Sequence, residues 1–116
     1  MDAAFDMQQW TTQLRKGIVE LAVLAVLRRG ETYGYKVVEE LKQLAGLDLS
    51  ESTVYPLLAR LAKDGLLAVR TASSEMGPPR RYYRLNQSGR ERLKDMNGLW
   101  QQTANAMTQL LNGESQ

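Results

Sequence analysis

Within one glycine, at Gly65, the apolar period of this chain switches from helical to alternating, and that switch leaves few folds open. Ser50-Glu51-Ser52-Thr53-Val54-Tyr55-Pro56-Leu57-Leu58 opens a helix, and Leu61-Ala62-Lys63-Asp64-Gly65-Leu66-Leu67 closes it and turns into a strand. Pro78-Pro79-Arg80-Arg81-Tyr82-Tyr83-Arg84-Leu85 brings the strand back. A polar-faced helix followed by a hairpin with arginines at its tip reads as a winged helix. Such a helix can present side chains to base edges in a major groove, while the arginine loop reaches phosphates or the minor groove.

The bulk properties narrow the chemistry. A chain of 116 residues, 43% of them hydrophobic, is long enough for one domain with a modest core. Its net charge of +2 names no partner, but the charge is unevenly spread. Arg80, Arg81, Arg84, Arg90, Arg92 and Lys94 face Glu91 as the lone acid in that stretch, the footprint of a phosphate-facing surface. The chain has no cysteine and no histidine. Disulfides and thiolate metal sites are therefore excluded, a reducing cytoplasm fits, and the commonest general base and metal ligand are missing. No metal, cofactor or catalytic residue is expected, because no acid pair sits in a pocket-like setting and Glu39-Glu40 reads as a solvated helix face. The apolar run Ile18–Leu27, interrupted by Glu20, is too short to cross a bilayer, and no secretory leader is expected.

The periodicity predicts a first helix over 9–29, with Leu14, Ile18, Leu21, Ala25 and Leu24 or Leu27 at helical spacing. Thr32 caps a second helix over 33–45, whose buried stripe is Val37, Val38, Leu41 and Leu44. Ser50 caps the third, which runs to Lys63 with Leu57, Leu58 and Leu61 inward and Pro56 near its first turn. Residues 66–71 read as a strand, 72–79 as a loop, and 81–85 as the return strand, with Tyr83 and Leu85 on one face and Tyr82 and Arg84 on the other. A last helix starts at Asn86 and ends near Asn112. Its Leu93, Met96, Trp100, Thr103, Met107 and Leu110 follow steps of three, four, three, four and three, the pattern of a two-helix seam. Such a seam either packs on the chain's own first helix or joins two copies, and its length favours two copies. The fold class is mainly α, with a small β component (α+β). A winged helix-turn-helix over 9–85 is followed by a dimerisation helix over 86–112.

The second and third helices form the helix-turn-helix, which places the start of the third toward the major groove. Ser50 caps or contacts DNA, Ser52 and Thr53 face the groove, and Tyr55 packs its ring while its hydroxyl meets a phosphate. Arg60 reaches the backbone from the same helix. Tyr33-Gly34-Tyr35-Lys36 opens the second helix, where Tyr35 and Lys36 can hold a phosphate. Gly34 there serves either phosphate approach or helix packing. Arg80, Arg81 and Tyr83 on the wing complete the DNA-binding set. Trp100 fills the dimer core or, facing its mate, sandwiches a flat aromatic effector between walls that include Met96 and Met107.

Five pieces together resemble the PadR family of bacterial transcription regulators: Gln13-Leu14-Arg15-Lys16-Gly17-Ile18 with Glu20-Leu21; Tyr33-Gly34-Tyr35; Thr53-Val54-Tyr55-Pro56-Leu57-Leu58 with Arg60-Leu61; Asp64-Gly65-Leu66; and Arg81-Tyr82-Tyr83-Arg84-Leu85 with Gly89. The likeness spans residues 13 to 101, and the single C-terminal helix is similar to the short subfamily. It implies a homodimer that binds double-stranded DNA at a palindromic operator, represses transcription, and lets go on binding an effector. That effector is often a phenolic or a planar cationic drug, and Trp100 stands where multidrug-responsive members carry the tryptophan that stacks such drugs. Ala104 stands where a drug-binding member carries an aspartate, which leaves Glu20 to supply a charge. The expected setting is the cytoplasm, at the nucleoid. The alternative is a winged-helix adaptor that binds a protein partner and no DNA.

Overall fold

The computed structural model describes residues 6–74 and 76–113. In chain order the elements are α1 (Met7–Leu27), β1 (Thr32–Tyr33), α2 (Gly34–Ala45), α3 (Glu51–Lys63), β2 (Leu67–Ser74), β3 (Gly77–Leu85) and α4 (Gln87–Asn112). This is a winged helix with a long helix appended. Among the described residues, no helix is long and apolar enough to cross a membrane.

The first helix starts two residues before the expected Gln9, because Asp6 caps it. The Asp6 carboxylate accepts from the backbone N–H of Gln8 at 3.0 Å and of Gln9 at 3.2 Å. Its apolar residues divide between two faces. Val23, Leu24, Val26 and Leu27 are buried in the core, whereas Leu14 is exposed and Ile18 and Leu21 are half-buried along α4. The core proper closes around Leu24, Leu27, Leu41, Leu58 and Leu61, each at most 1% exposed. Each such side chain contributes about 1.5–3 kcal/mol by leaving water.

Thr32 does not cap α2. Thr32 and Tyr33 form a third strand against Tyr83 and Tyr82 of β3, which gives an antiparallel sheet in the order β1-β3-β2. Tyr33 takes the N-cap position of α2 without a side-chain cap, and Thr32 is buried. Two residues are too few for an alternating pattern to register; the pairing with β3 makes them a strand. Within α2, Val37 and Leu41 are buried as expected and Val38 is half-buried, but Leu44 is 62% exposed.

The hairpin is longer than its composition suggests. Most of the expected loop over 72–79 is strand, and the register shifts between Ala72 and Ser74, where Gly77 pairs with Ser74. Pro78 and Pro79 lie beyond the reach of β1, which pairs only with Tyr82 and Tyr83, and next to that irregularity. Rings that cannot donate to a ladder are tolerated at such places. Pro56 also differs from expectation. It is the sixth residue of α3, inside the helix, so the Ser52 carbonyl has no donor four residues on.

The start of α4 is as expected and firmly held. The Asn86 side-chain oxygen accepts from Gly89 N–H at 2.8 Å, its amide donates to the Gly65 carbonyl at 2.8 Å, and its backbone N–H donates to the Leu66 carbonyl at 3.2 Å. Gly89 lies so close to the α3–β2 turn that a β-carbon there would overlap the Leu66 carbonyl oxygen. Gly98, on the opposite side of α4 from Met96 and Trp100, has nothing within 4 Å of such a carbon. Gly89→Ala is therefore expected to destabilise the fold by about 2–3 kcal/mol. Gly98→Ala should instead stabilise it by about 0.5–1 kcal/mol, since alanine suits a helix interior better. Urea denaturation of the two variants checks both signs.

Candidate nucleic-acid interface

Helical periodicity sorts α3 into a buried face, an outward face and two flanks. Val54, Leu57, Leu58 and Leu61 are buried. Ser52, Pro56, Ala59 and Lys63 recur at steps of four, three and four on the opposite, exposed side. These four, with no core to pack on, are the surface that α3 presents outward. Ser52 was expected there; Pro56, Ala59 and Lys63 were not, although the same count of residues from Leu57 and Leu61 points to them.

One flank of α3 faces α1. Thr53 lines a groove there with Arg15 and Lys16, so it stands at the edge of the outward surface. Arg60, one stripe further along, is occupied. Its guanidinium meets Glu20 at 2.9 Å and Asp64 at 3.4 Å, while Glu20 also takes Arg92 of α4 at 3.4 Å. Hydrogen bonding to Glu20 raises the Arg60 pKa above its ordinary value. Glu20 thus ties together α1, α3 and α4, and Arg60 is a tie rather than a free backbone contact. Ser50 takes the N-cap position by its backbone, accepting from Thr53 and Val54 N–H, but its side chain makes no cap. Its hydroxyl is 2.7 Å from that of Ser52 and 3.5 Å from that of Thr53.

The other flank faces the hairpin across a groove of about 730 Å³ whose lining includes Tyr33, Tyr55, Ala59, Arg80 and Arg81. Tyr55 donates its hydroxyl to Glu51 at 2.8 Å. Its ring lies against Gly34, where a β-carbon would overlap Cε1. Gly34 is thereby explained by packing. Partial burial, then the neighbouring Glu51 carboxylate, pushes the Tyr55 phenol up to about 12. Tyr35 is 53% exposed and Lys36 is exposed on the first turn of α2, next to this flank. Tyr83 is a correction: it packs in the core at 8% exposure, too deep for its ring to serve as a phosphate contact.

Nor are Arg80 and Arg81 at the hairpin tip. They pair with Ala72 and Thr71 within the ladder, and as neighbours on a strand they point to opposite faces. Arg81 shares the face of Tyr83 and Leu85. Arg80 shares that of Tyr82, and its guanidinium lies 4.1 Å above the Tyr33 ring. That outer face is a continuous chain of contacts. Tyr33 meets Tyr82 edge-on at 5.7 Å, Arg70 lies 4.7 Å over Tyr82, and Arg70 binds Glu31 through two hydrogen bonds of 2.7 and 3.1 Å. The Arg70 hydrogen bonds hold the Glu31 carboxyl below its ordinary pKa, and Arg84 adds to the effect.

The residues expected to meet a partner copy or an effector lie along α4. Leu93 belongs to the chain's own core at 8% exposure, a correction to its place in the seam. Met96 is half-buried on the side toward α1, and Trp100 is 41% exposed. Thr103, Met107 and Leu110 are exposed, as are Leu99 at 64% and Leu111 at 77%, two residues absent from the expected seam. Glu20 is held by its two arginines and is not among the residues lining the grooves at Trp100. The groove of about 490 Å³ at Trp100 is lined instead by Arg28, Arg90 and Lys94, with no acid among its lining residues.

Comparison with known proteins adds four findings. The model of the transcriptional regulator PadR-like family matches residues 23–95. The negative transcriptional regulator PadR of Bacillus subtilis is 31% identical over 80 residues, which make up 67% of this chain and 44% of that regulator. The chain thus spans less than half the length of that relative. A PadR family transcriptional regulator from Eggerthella lenta superposes with a TM-score of 0.81 at 32% identity, covering 90% of each chain. Bacillus subtilis PadR in complex with operator DNA superposes with a TM-score of 0.64 at 30% identity, over 68% of this chain and 46% of that one.

The Tyr55–Glu51 contact makes a pH prediction. The phenol's pKa is higher in the folded chain than its ordinary value of 10, so its contribution to stability is complete below pH 10 and is lost as pH rises toward about 12. The stability advantage of the native chain over Tyr55→Phe should shrink steadily across that window. Urea midpoints of both proteins, measured as the pH is raised, read this directly.

Proposed function

The chain belongs to the transcriptional regulator PadR-like family, and on that premise we propose that it is a sequence-specific DNA-binding repressor that grips a palindromic operator as a homodimer. The observation that carries this reading is the exposed face of α3, Ser52, Pro56, Ala59 and Lys63, standing beside a hairpin that bears Arg80 and Arg81. Apolar Pro56 and Ala59 suit contact with thymine methyl groups, and Ser52 and Lys63 add hydrogen-bonding and charge. Arg80 and Arg81, with Tyr35 and Lys36, serve the sugar-phosphate backbone. The Bacillus subtilis relative solved on operator DNA supports this use of the fold. Residues 9–85 are then the reading unit and 86–112 the dimerisation helix. The place of work is the cytoplasm, on the nucleoid.

Support for the homodimer comes from α4. Met107, Leu110 and Leu111 form an exposed apolar edge on the part of the helix beyond its contact with α1, and Leu99, at the margin of that contact, continues it. An edge of this kind suits a second copy related by a two-fold axis. Two copies would set their recognition helices on successive turns of the duplex, about 34–36 Å apart. The Trp100 groove points to the effector's chemistry. With Arg28 and Lys94 beside the indole and no lining acid, it suits a flat aromatic carrying negative charge better than a cation.

Selection from a random duplex pool tests the function. It should return a palindrome with half-sites about 10–10.5 bp apart, centre to centre, or a multiple of that. Absence of salt-dependent binding to any duplex would instead favour the protein-binding adaptor. Arg80→Ala with Arg81→Ala should weaken binding to every sequence and lower the salt slope by about one per phosphate released; an unchanged slope would sink the assignment. Leu110→Glu changes a residue 66% exposed in the single chain. It should leave the thermal transition of the monomer intact and weaken self-association by at least about tenfold in sedimentation.

A further inference from the structure

We propose that Arg15 and Lys16 form a second phosphate-binding site, on the α1 flank of α3, that grips the strand opposite the one met by the hairpin. The inference rests on the DNA-binding reading above and adds to it a contact on α1, a helix outside the helix-turn-helix and the wing. A groove of about 270 Å³ runs between α1 and the beginning of α3, lined by Arg15, Lys16, Thr12, Asp48, Ser50 and Thr53 among others.

Three observations support a phosphate there. First, among the described residues Arg15 and Lys16 take part in no ion pair, whereas Arg29, Arg60, Arg70 and Arg92 are each paired with a carboxylate. Second, the groove carries the charge a phosphodiester needs. Two cations stand against one lining acid, Asp48. The Ser50 and Thr53 hydroxyls, 3.5 Å apart, can donate, while Thr12 is spoken for by the Gln8 carbonyl at 2.9 Å. Arginine offers a planar fork for phosphate oxygens and lysine a compact charge.

Third, the groove is placed where a backbone must run. A helix with its side chains is about 10–12 Å across and a major groove about 12 Å wide, so a helix seated there brings both flanks against phosphates. On one flank of α3 stands the hairpin with Arg80 and Arg81. On the other stand Thr53 and then Arg15 and Lys16. Further along that second flank Arg60 is neutralised by Glu20 and Asp64, which leaves the α1 pair as the charge available to that strand.

The test uses the full chain and a labelled random-sequence duplex of about 30 bp, with anisotropy read between about 50 and 200 mM salt. Arg15→Ala with Lys16→Ala should weaken binding at least about tenfold at the lower salt and reduce the slope by about one per phosphate lost. Arg15→Lys with Lys16→Arg should restore most of that slope, which a packing role would not require. Asp48→Asn should tighten binding about threefold by removing a like charge beside the phosphate. A double-alanine variant with the native slope, in a protein whose Arg80→Ala, Arg81→Ala form loses slope, overturns this inference and leaves the DNA-binding reading standing. A native chain that ignores the duplex overturns both.

Discussion

The direction in which α4 leaves the winged helix is set by one carbonyl. Leu66 O accepts from the Asn86 backbone and lies where a β-carbon on residue 89 would stand, so only glycine lets the helix pass. Asn86 closes the arrangement by capping α4 and binding the Gly65 carbonyl in the same step. The turn that ends α3 and the turn that begins α4 are thus one structural unit. A displacement of α4 cannot occur here without disturbing the end of α3, and the Glu20 ion pairs to Arg60 and Arg92 repeat the tie further along both helices.

Against this fixed frame the two flanks of α3 differ in construction. The hairpin side is built from aromatic rings and cations, with Tyr33, Tyr55, Arg80 and Arg81 in one groove and Arg80 resting on Tyr33. Stacking leaves the edges of a guanidinium free for hydrogen bonds while limiting its motion. The α1 side is built from hydroxyls and two unstacked cations. The outward face between them has just one charged side chain, Lys63, beside Ser52, Pro56 and Ala59. Charge at the margins and small groups at the centre is the division of labour expected when phosphates position a protein and base edges are read by close contact.

What was legible in the sequence was what local chemistry decides. The end of α3 and the cap at Asn86 each depend on a single residue type, and both were placed correctly. So was the alternation of Tyr82 to Leu85. What was missed depends on partners distant in sequence. Thr32 and Tyr33 are a strand only because Tyr83 and Tyr82 pair with them. Glu20 reads as a charge for an effector until α3 and α4 bring Arg60 and Arg92 to it. The arginine pair read as a tip because Gly77, Pro78 and Pro79 suggest a loop, yet the ladder absorbs all three. Gly34 was ambiguous for the same reason: the ring that requires it is on another helix. Of the candidate interface, the third helix and wing were foreseen, whereas Lys63 and the α1 cations become visible only once the helix is seen to have an outside and two sides.

The 26 residues of α4 are held at their start by Asn86 and lie along α1 as far as Thr103, so only the last turns stand clear of the rest of the chain. At 1.5 Å per residue those nine residues, 104–112, span about 14 Å, so a bend of about 12° where they leave α1 carries the far end about 3 Å. Were two copies to pair along these outer lengths, as proposed above, a side chain's width of movement in the joint would become a small rotation of each head, which DNA, whose grooves come round at a fixed pitch, would register as a loss of fit.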